Sequence, residues 1–99
     1  MKPPIAQTGA VRHNHLRKKL RYQAWHRGTR EMDLLLGRFA DAWLDRFDAA
    51  ELTQFESLLA VADPVLRDWL GAGVAGVPVN MRSAVLDRLL EFHRPAKQA

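Results

Sequence analysis

The sequence predicts an all-α fold, a small five-helix bundle, and three observations predict it. Apolar residues recur with the 3.6-residue period of a helix in five successive segments. No segment sustains the period-two alternation of a strand, and the valine-rich stretch 74–79 is broken by Gly76 and Pro78. The chain has 99 residues, enough for one domain. A domain of this size buries about 60–65% of its unfolded surface, which gives a modest core and no deep cavity.

Residues 1–11 carry Pro3, Pro4 and Gly9 with little periodicity and read as a flexible tail before a single domain over 12–94. The first helix is predicted from Arg12 to about His26. Leu16, Leu20 and Ala24 form its apolar face, with Val11, Tyr22 and Trp25 beside it, and Gly28 interrupts it. The second helix has the clearest period: Met32, Leu35, Leu36, Phe39, Trp43, Leu44 and Phe47 on one stripe, with Arg38, Asp41, Asp45 and Arg46 on the wet face. Trp43 and Phe39 lie at the centre of that stripe.

Asp48-Ala-Ala-Glu51 has the spacing of a capping box and opens a third helix to about Val61, with Leu52, Phe55, Leu58 and Leu59 as its apolar face. Asp63-Pro64 reads as an N-cap with proline at the first helical position, opening a short fourth helix with Val65, Leu66, Trp69 and Leu70. Gly71, Gly73, Gly76 and Pro78 mark a loop. Asn80 is the expected cap of a last helix, whose face is Val85, Leu86, Leu89 and Leu90. Pro95 ends it, leaving a tail at 95–99.

Composition narrows the function. There is no cysteine, which excludes disulfides and thiolate metal sites. His13 and His15 sit about 200° apart around a helix, His26 and His93 are isolated, and no metal site is expected. Ser57 and Ser83 fall in helical segments without a Ser/His/Asp pattern, and no strand precedes the glycines of 71–76, so neither a nucleophile nor a phosphate loop is indicated. Catalytic residues are therefore not expected. No apolar run has the roughly 18 residues needed to span a bilayer, and the start lacks a signal-peptide core.

Charge is distributed unevenly. Residues 1–30 hold eight Lys or Arg and no acid, whereas residues 31–99 hold seven basic and eleven acidic residues. A basic helix attracts nucleic acid, anionic membranes and acidic proteins through one Coulomb term. No base-reading pattern follows it, because the second helix is apolar where a recognition helix needs Arg, Asn or Gln.

The charge changes sign at Arg27-Gly28-Thr29-Arg30-Glu31, between two helices. One reading is a helix end: Gly28 closes the first helix in a left-handed conformation and Glu31 reaches back to cap the second. That accounts for Gly28 and Glu31 and leaves Arg27 and Arg30 unexplained. The other reading is a docking site on an exposed junction, with His26 as a docking residue and Tyr22 and Trp25 as anchors.

The run Leu20-Arg21-Tyr22-x4-Arg27-Gly28-x2-Glu31-x-Asp33-Leu34-Leu35-Leu36 resembles the signature of the succinate dehydrogenase FAD assembly factors, whose hallmark is Arg-Gly-x-x-Glu. The resemblance continues in Glu51-x3-Phe55-x2-Leu58-Leu59-x3-Asp63-Pro64-x-Leu66-x2-Trp69-Leu70 and covers about residues 16–70. It implies a five-helix protein that binds the flavoprotein subunit of succinate dehydrogenase, and often of fumarate reductase. Such a factor promotes covalent attachment of FAD to a histidine of that subunit. Arg27, Gly28 and Glu31 match the motif, and Asp33 matches the acidic position after it. Two positions depart: His26 stands where the family often has a second Arg, and Thr29 where an aliphatic residue is common.

The expected function is a non-enzymatic assembly chaperone with a partner-binding site at Tyr22, His26, Arg27, Gly28, Arg30, Glu31 and Asp33. Arg27 and Arg30 are expected to meet carboxylates or FAD phosphates, and Glu31 to orient Arg27 or accept from the partner. The resemblance implies action on FAD attachment in the partner, and no cofactor is expected to bind stably to the chain itself. A monomer is expected, without nucleic acid or membrane insertion, in bacterial cytoplasm or, for a eukaryotic source, the mitochondrial matrix. The alternatives are a basic helical nucleic-acid-binding protein and a carrier of free FAD.

Overall fold

In the computed structural model, the backbone is described for residues 4–93 and the side chains for residues 13–93. Five helices follow in order: α1 (Pro4–Trp25), α2 (Arg30–Trp43), α3 (Ala49–Leu59), α4 (Asp63–Ala72) and α5 (Ala84–Phe92). Short 3-10 turns cover Leu44–Arg46, Val74–Gly76 and Val79–Met81. No strand occurs among the described residues, so the all-α expectation holds. α1 begins eight residues before the expected Arg12, within the segment read as a tail. Proline at N1 suits a helix start, since its fixed φ is already helical and its missing N–H has no partner there anyway. The tail at 95–99 and Pro95 lie outside the described residues.

α1 packs mainly on α2 and also on α3, and α3 packs on α5. The apolar faces meet in one core: Leu20 and Ala24 from α1, Leu36 and Phe39 from α2, Leu52 and Phe55 from α3, Leu66 and Trp69 from α4, and Val85, Leu86 and Leu89 from α5. Phe39 is fully buried and is the hub, with ring centroids 6.1, 5.8 and 5.4 Å from those of Phe47, Phe55 and Phe92.

Some residues expected on the apolar stripes are only partly covered. Trp43 is half-buried at the rim, its ring under the guanidinium groups of Arg46 and Arg88 at 5.3 and 4.6 Å. It lies at the last residue of α2, where the chain turns into the 3-10 segment. Val65, in the first turn of α4, is 41% exposed, and Phe92, at the end of α5, is 40% exposed.

Capping was predicted unevenly. The Asp48/Glu51 box is present in both directions, at 3.0 and 2.9 Å. α4 is capped instead by Ala62 without a side-chain bond, because the Asp63 carboxylate is engaged elsewhere. Ser83 rather than Asn80 caps α5, accepting from the Leu86 N–H, because Asn80 sits inside the last 3-10 turn.

The close approach of α1 and α2 depends on Gly37, where the Trp25 ring lies over the bare Cα. A β-carbon there would stand 2.2 Å from a ring atom of Trp25. Trp25 Nε1–H also donates to Asp41 at 3.3 Å, so the ring is held in place. Gly37→Ala should therefore destabilise the fold by about 1–3 kcal/mol, although alanine is intrinsically the better helix former. A denaturation midpoint at or above wild type would show that the two helices are not in this contact.

Candidate functional site

The Arg27–Glu31 segment is a tight reversal from α1 into α2, and its geometry follows from three residues. Gly28 has φ +117°, a region that favours glycine. Thr29 is the N-cap of α2: its backbone is extended and its hydroxyl accepts from the Met32 N–H at 3.2 Å. Asp33 lies in the first turn of α2, and its carboxylate accepts from the backbone N–H groups of Arg27 at 2.5 Å and Gly28 at 3.3 Å. The cap is thus Thr29 with Asp33, not Glu31. The hydroxyl of Thr29, one of the two positions read as departing from the resemblance, therefore has a local job.

Arg27 points inward. Its side chain is 11% exposed, and four N–H···O contacts anchor it to the turn between α3 and α4. Nη1 donates to the Leu59 carbonyl, and Nη2 donates to the Val61 carbonyl at 2.7 Å. Nε and Nη2 both donate to Asp63 Oδ1, at 2.9 and 2.6 Å. The carbonyls of Leu59 and Val61 lie at and just after the end of α3, where helical partners run out. Arg27 therefore satisfies orphan acceptors and pairs with Asp63 at once. The expectation that Arg27 meets partner carboxylates or FAD phosphates is corrected: its fork is already occupied.

The remaining candidates face outward. Tyr22 is 64% exposed and stacks on His26, with ring centroids 4.0 Å apart and planes at 19°. His26 Nδ1–H donates to the Tyr22 carbonyl at 2.7 Å, which fixes the ring and leaves Nε2 outward. Arg30 is exposed with no ion pair among the described residues. Glu31 is exposed and lies 3.7 Å from Arg67 of α4, so it does not orient Arg27. The seven candidates form one neighbourhood with two roles: Arg27, Gly28 and Asp33 hold the junction, while Tyr22, His26, Arg30 and Glu31 lie exposed on it. Trp25, weighed as an anchor, packs on Gly37 instead.

Sequence reasoning missed Asp63 and Arg67 as parts of this site. The Asp-Pro pair at 63–64 was visible, but its cap-like pattern concealed a partner 36 residues away. Among the described residues, several basic side chains of α1 pair with groups of the same fold. Arg17 donates to the carbonyls of Leu44 and Phe47, Arg21 pairs with Asp41 and Asp45, and Lys19 lies 3.9 Å from Glu56. A phosphate on this face of α1 would have to compete with the acceptors that Arg17 and Arg21 already meet. His93, read as isolated, donates from Nε2 to the Leu35 carbonyl, and burial lowers its pKa below the usual histidine value, against the raising effect of that bond. No group of three or more His, Asp or Glu converges among the described residues.

Fold and site together define a small all-helical protein with a rigid, mixed-charge helix junction on its surface. Residues 18–93 match the family model described as the flavinator of succinate dehydrogenase, and the chain belongs to that family. It is 41% identical over 78 residues to the FAD assembly factor SdhE of Acetobacter pasteurianus, covering 79% of this chain and 71% of that protein. It is 38% identical over 78 residues to the mitochondrial succinate dehydrogenase assembly factor 2 of Dictyostelium discoideum, covering 79% of this chain. With the corresponding factor of Kluyveromyces lactis it shares 34% identity over 95 residues, 93% of this chain. The chain spans 54% and 58% of those two mitochondrial proteins. No solved structure matches it. None of the described helices is long and apolar enough to cross a membrane.

Proposed function

We propose that the chain is a non-catalytic assembly factor that binds the flavoprotein subunit of succinate dehydrogenase and promotes covalent attachment of FAD to it. The flavoprotein of fumarate reductase is a second client on this reading, and bacterial cytoplasm or the mitochondrial matrix is the compartment. The observation that carries the proposal is the family motif folded into a rigid junction, with its Glu31 and Arg30 outward and its Arg27 locked inside. Promoting a reaction without performing it requires a surface that favours one conformation of the partner through differential affinity. A junction held by Gly28, Thr29, Asp33 and Asp63 is preorganised for that task.

The test is calorimetry with the apo-flavoprotein and, separately, with free FAD. One-to-one binding to the flavoprotein and no tight binding of FAD to the chain alone is the expected result. Tight binding of FAD by the isolated chain would favour a carrier of the cofactor. Gly28→Arg is a poor probe of docking by itself. The space around Gly28 is open, but its φ of +117° makes any other residue strained there, by roughly 1–3 kcal/mol.

A further inference from the structure

Beside the junction lies an open cleft of about 730 Å³ between the end of α1 and the α3–α4 turn. One wall is the stacked pair Tyr22 and His26. Leu59, Ala60 and Pro64 add apolar side chains, and Gln23, Arg27, Glu56 and Asp63 complete the lining. Arg27 directs its donors to Asp63 and the carbonyls of Leu59 and Val61. Asp63 uses Oδ1 for both of its bonds from Arg27, and Oδ2 takes none. Glu56 is half-exposed and, among the described residues, pairs with Lys19 alone, at 3.9 Å. The cleft therefore offers the unbonded Oδ2 of Asp63, a Glu56 carboxylate held only loosely by the exposed Lys19, an exposed aromatic face, and apolar side chains.

That combination suits a long amphipathic cation. An alkyl stem lies along the rings and the proline, and the charged head meets carboxylate oxygen over an aromatic face. We propose that this cleft receives an arginine or lysine side chain from the flavoprotein, which extends the docking surface from Tyr22 and His26 to Glu56 and Asp63. The proposal rests on the assembly-factor reading.

The test is calorimetry of the apo-flavoprotein subunit with the wild-type chain and with Glu56→Lys, Glu56→Gln, Tyr22→Phe, Tyr22→Ala and Asp87→Lys, each first shown to be folded by circular dichroism. Glu56→Lys should weaken binding about tenfold or more, and Glu56→Gln less. Tyr22→Phe should bind like wild type, because the ring matters and the hydroxyl does not, whereas Tyr22→Ala should lose several-fold. Asp87→Lys, on α5, makes the same change of net charge outside the cleft and should leave affinity within about twofold, since exposed charges farther apart than a Debye length are largely screened. Wild-type affinity in Glu56→Lys would overturn the proposal, and so would an equal loss in Asp87→Lys. A wild-type chain that fails to bind the flavoprotein at all would instead remove the assembly-factor reading itself.

Discussion

Phe39→Ala is expected to cost about 3–5 kcal/mol, a large part of the 5–15 kcal/mol that holds a typical domain together. The ring is fully buried and touches aromatic side chains from three other segments. Its removal leaves a cavity that Phe47, Phe55 and Phe92 cannot all close upon. Trp43→Ala is the instructive contrast. The sequence places both residues at the centre of one stripe, yet Trp43 is only half-buried beneath two arginines. Losing a partly covered ring and two exposed cation–π contacts should cost about 1–2 kcal/mol. Chemical denaturation of both variants checks the ordering. A Trp43→Ala loss equal to that of Phe39→Ala would show that the end of α2 is buried more deeply than described.

Arg27→Ala is expected to cost about 3–5 kcal/mol, well beyond the few tenths expected of an exposed docking residue. The variant strips the Leu59 and Val61 carbonyls of their donor and leaves Asp63, 22% exposed, without its counter-ion. Arg27→Lys should restore only part of that loss, since an ammonium cannot reproduce the fork that reaches two carbonyls and a carboxylate together. Arg30→Ala, three residues on at the start of α2 and without an ion-pair partner among the described residues, should leave the denaturation midpoint nearly unchanged. Equal stability of the Arg27→Ala and wild-type proteins would contradict the inward placement of Arg27.

Helical content and most of the core were legible because both are written in local period: Leu20, Leu36, Leu52, Phe55 and Leu86 fall where a 3.6-residue repeat puts them. Periodicity does not say how far an interface extends, so Trp43 and Val65 sit on apolar stripes by their spacing and yet are only partly covered. The capping box at Asp48 was legible because both partners lie within three residues. Asp63 carries a similar local signal but is drawn away by Arg27 across the fold, and no short-range pattern encodes that competition. The two arginines of the motif look alike in sequence. The turn at Gly28 sends one into the α3–α4 turn and leaves the other in solvent. The contact of Trp25 with Gly37 was equally hidden, because a glycine inside a helical stripe reads only as a weak helix former.

The central claim, that the outward half of this junction docks the flavoprotein during FAD attachment, is tested most directly with Glu31→Ala. Glu31 is exposed and, among the described residues, pairs with Arg67 alone at 3.7 Å, so the variant should lose no more than about 1 kcal/mol and remain folded. Apo-flavoprotein and FAD are incubated without the chain, with wild type, and with Glu31→Ala, and flavin fluorescence of the flavoprotein band is read after denaturing electrophoresis. Strong fluorescence with wild type, and a signal near the no-factor level with folded Glu31→Ala, is the predicted result. Wild-type flavinylation by the folded Glu31→Ala protein would contradict the claim and leave the junction with a structural role alone.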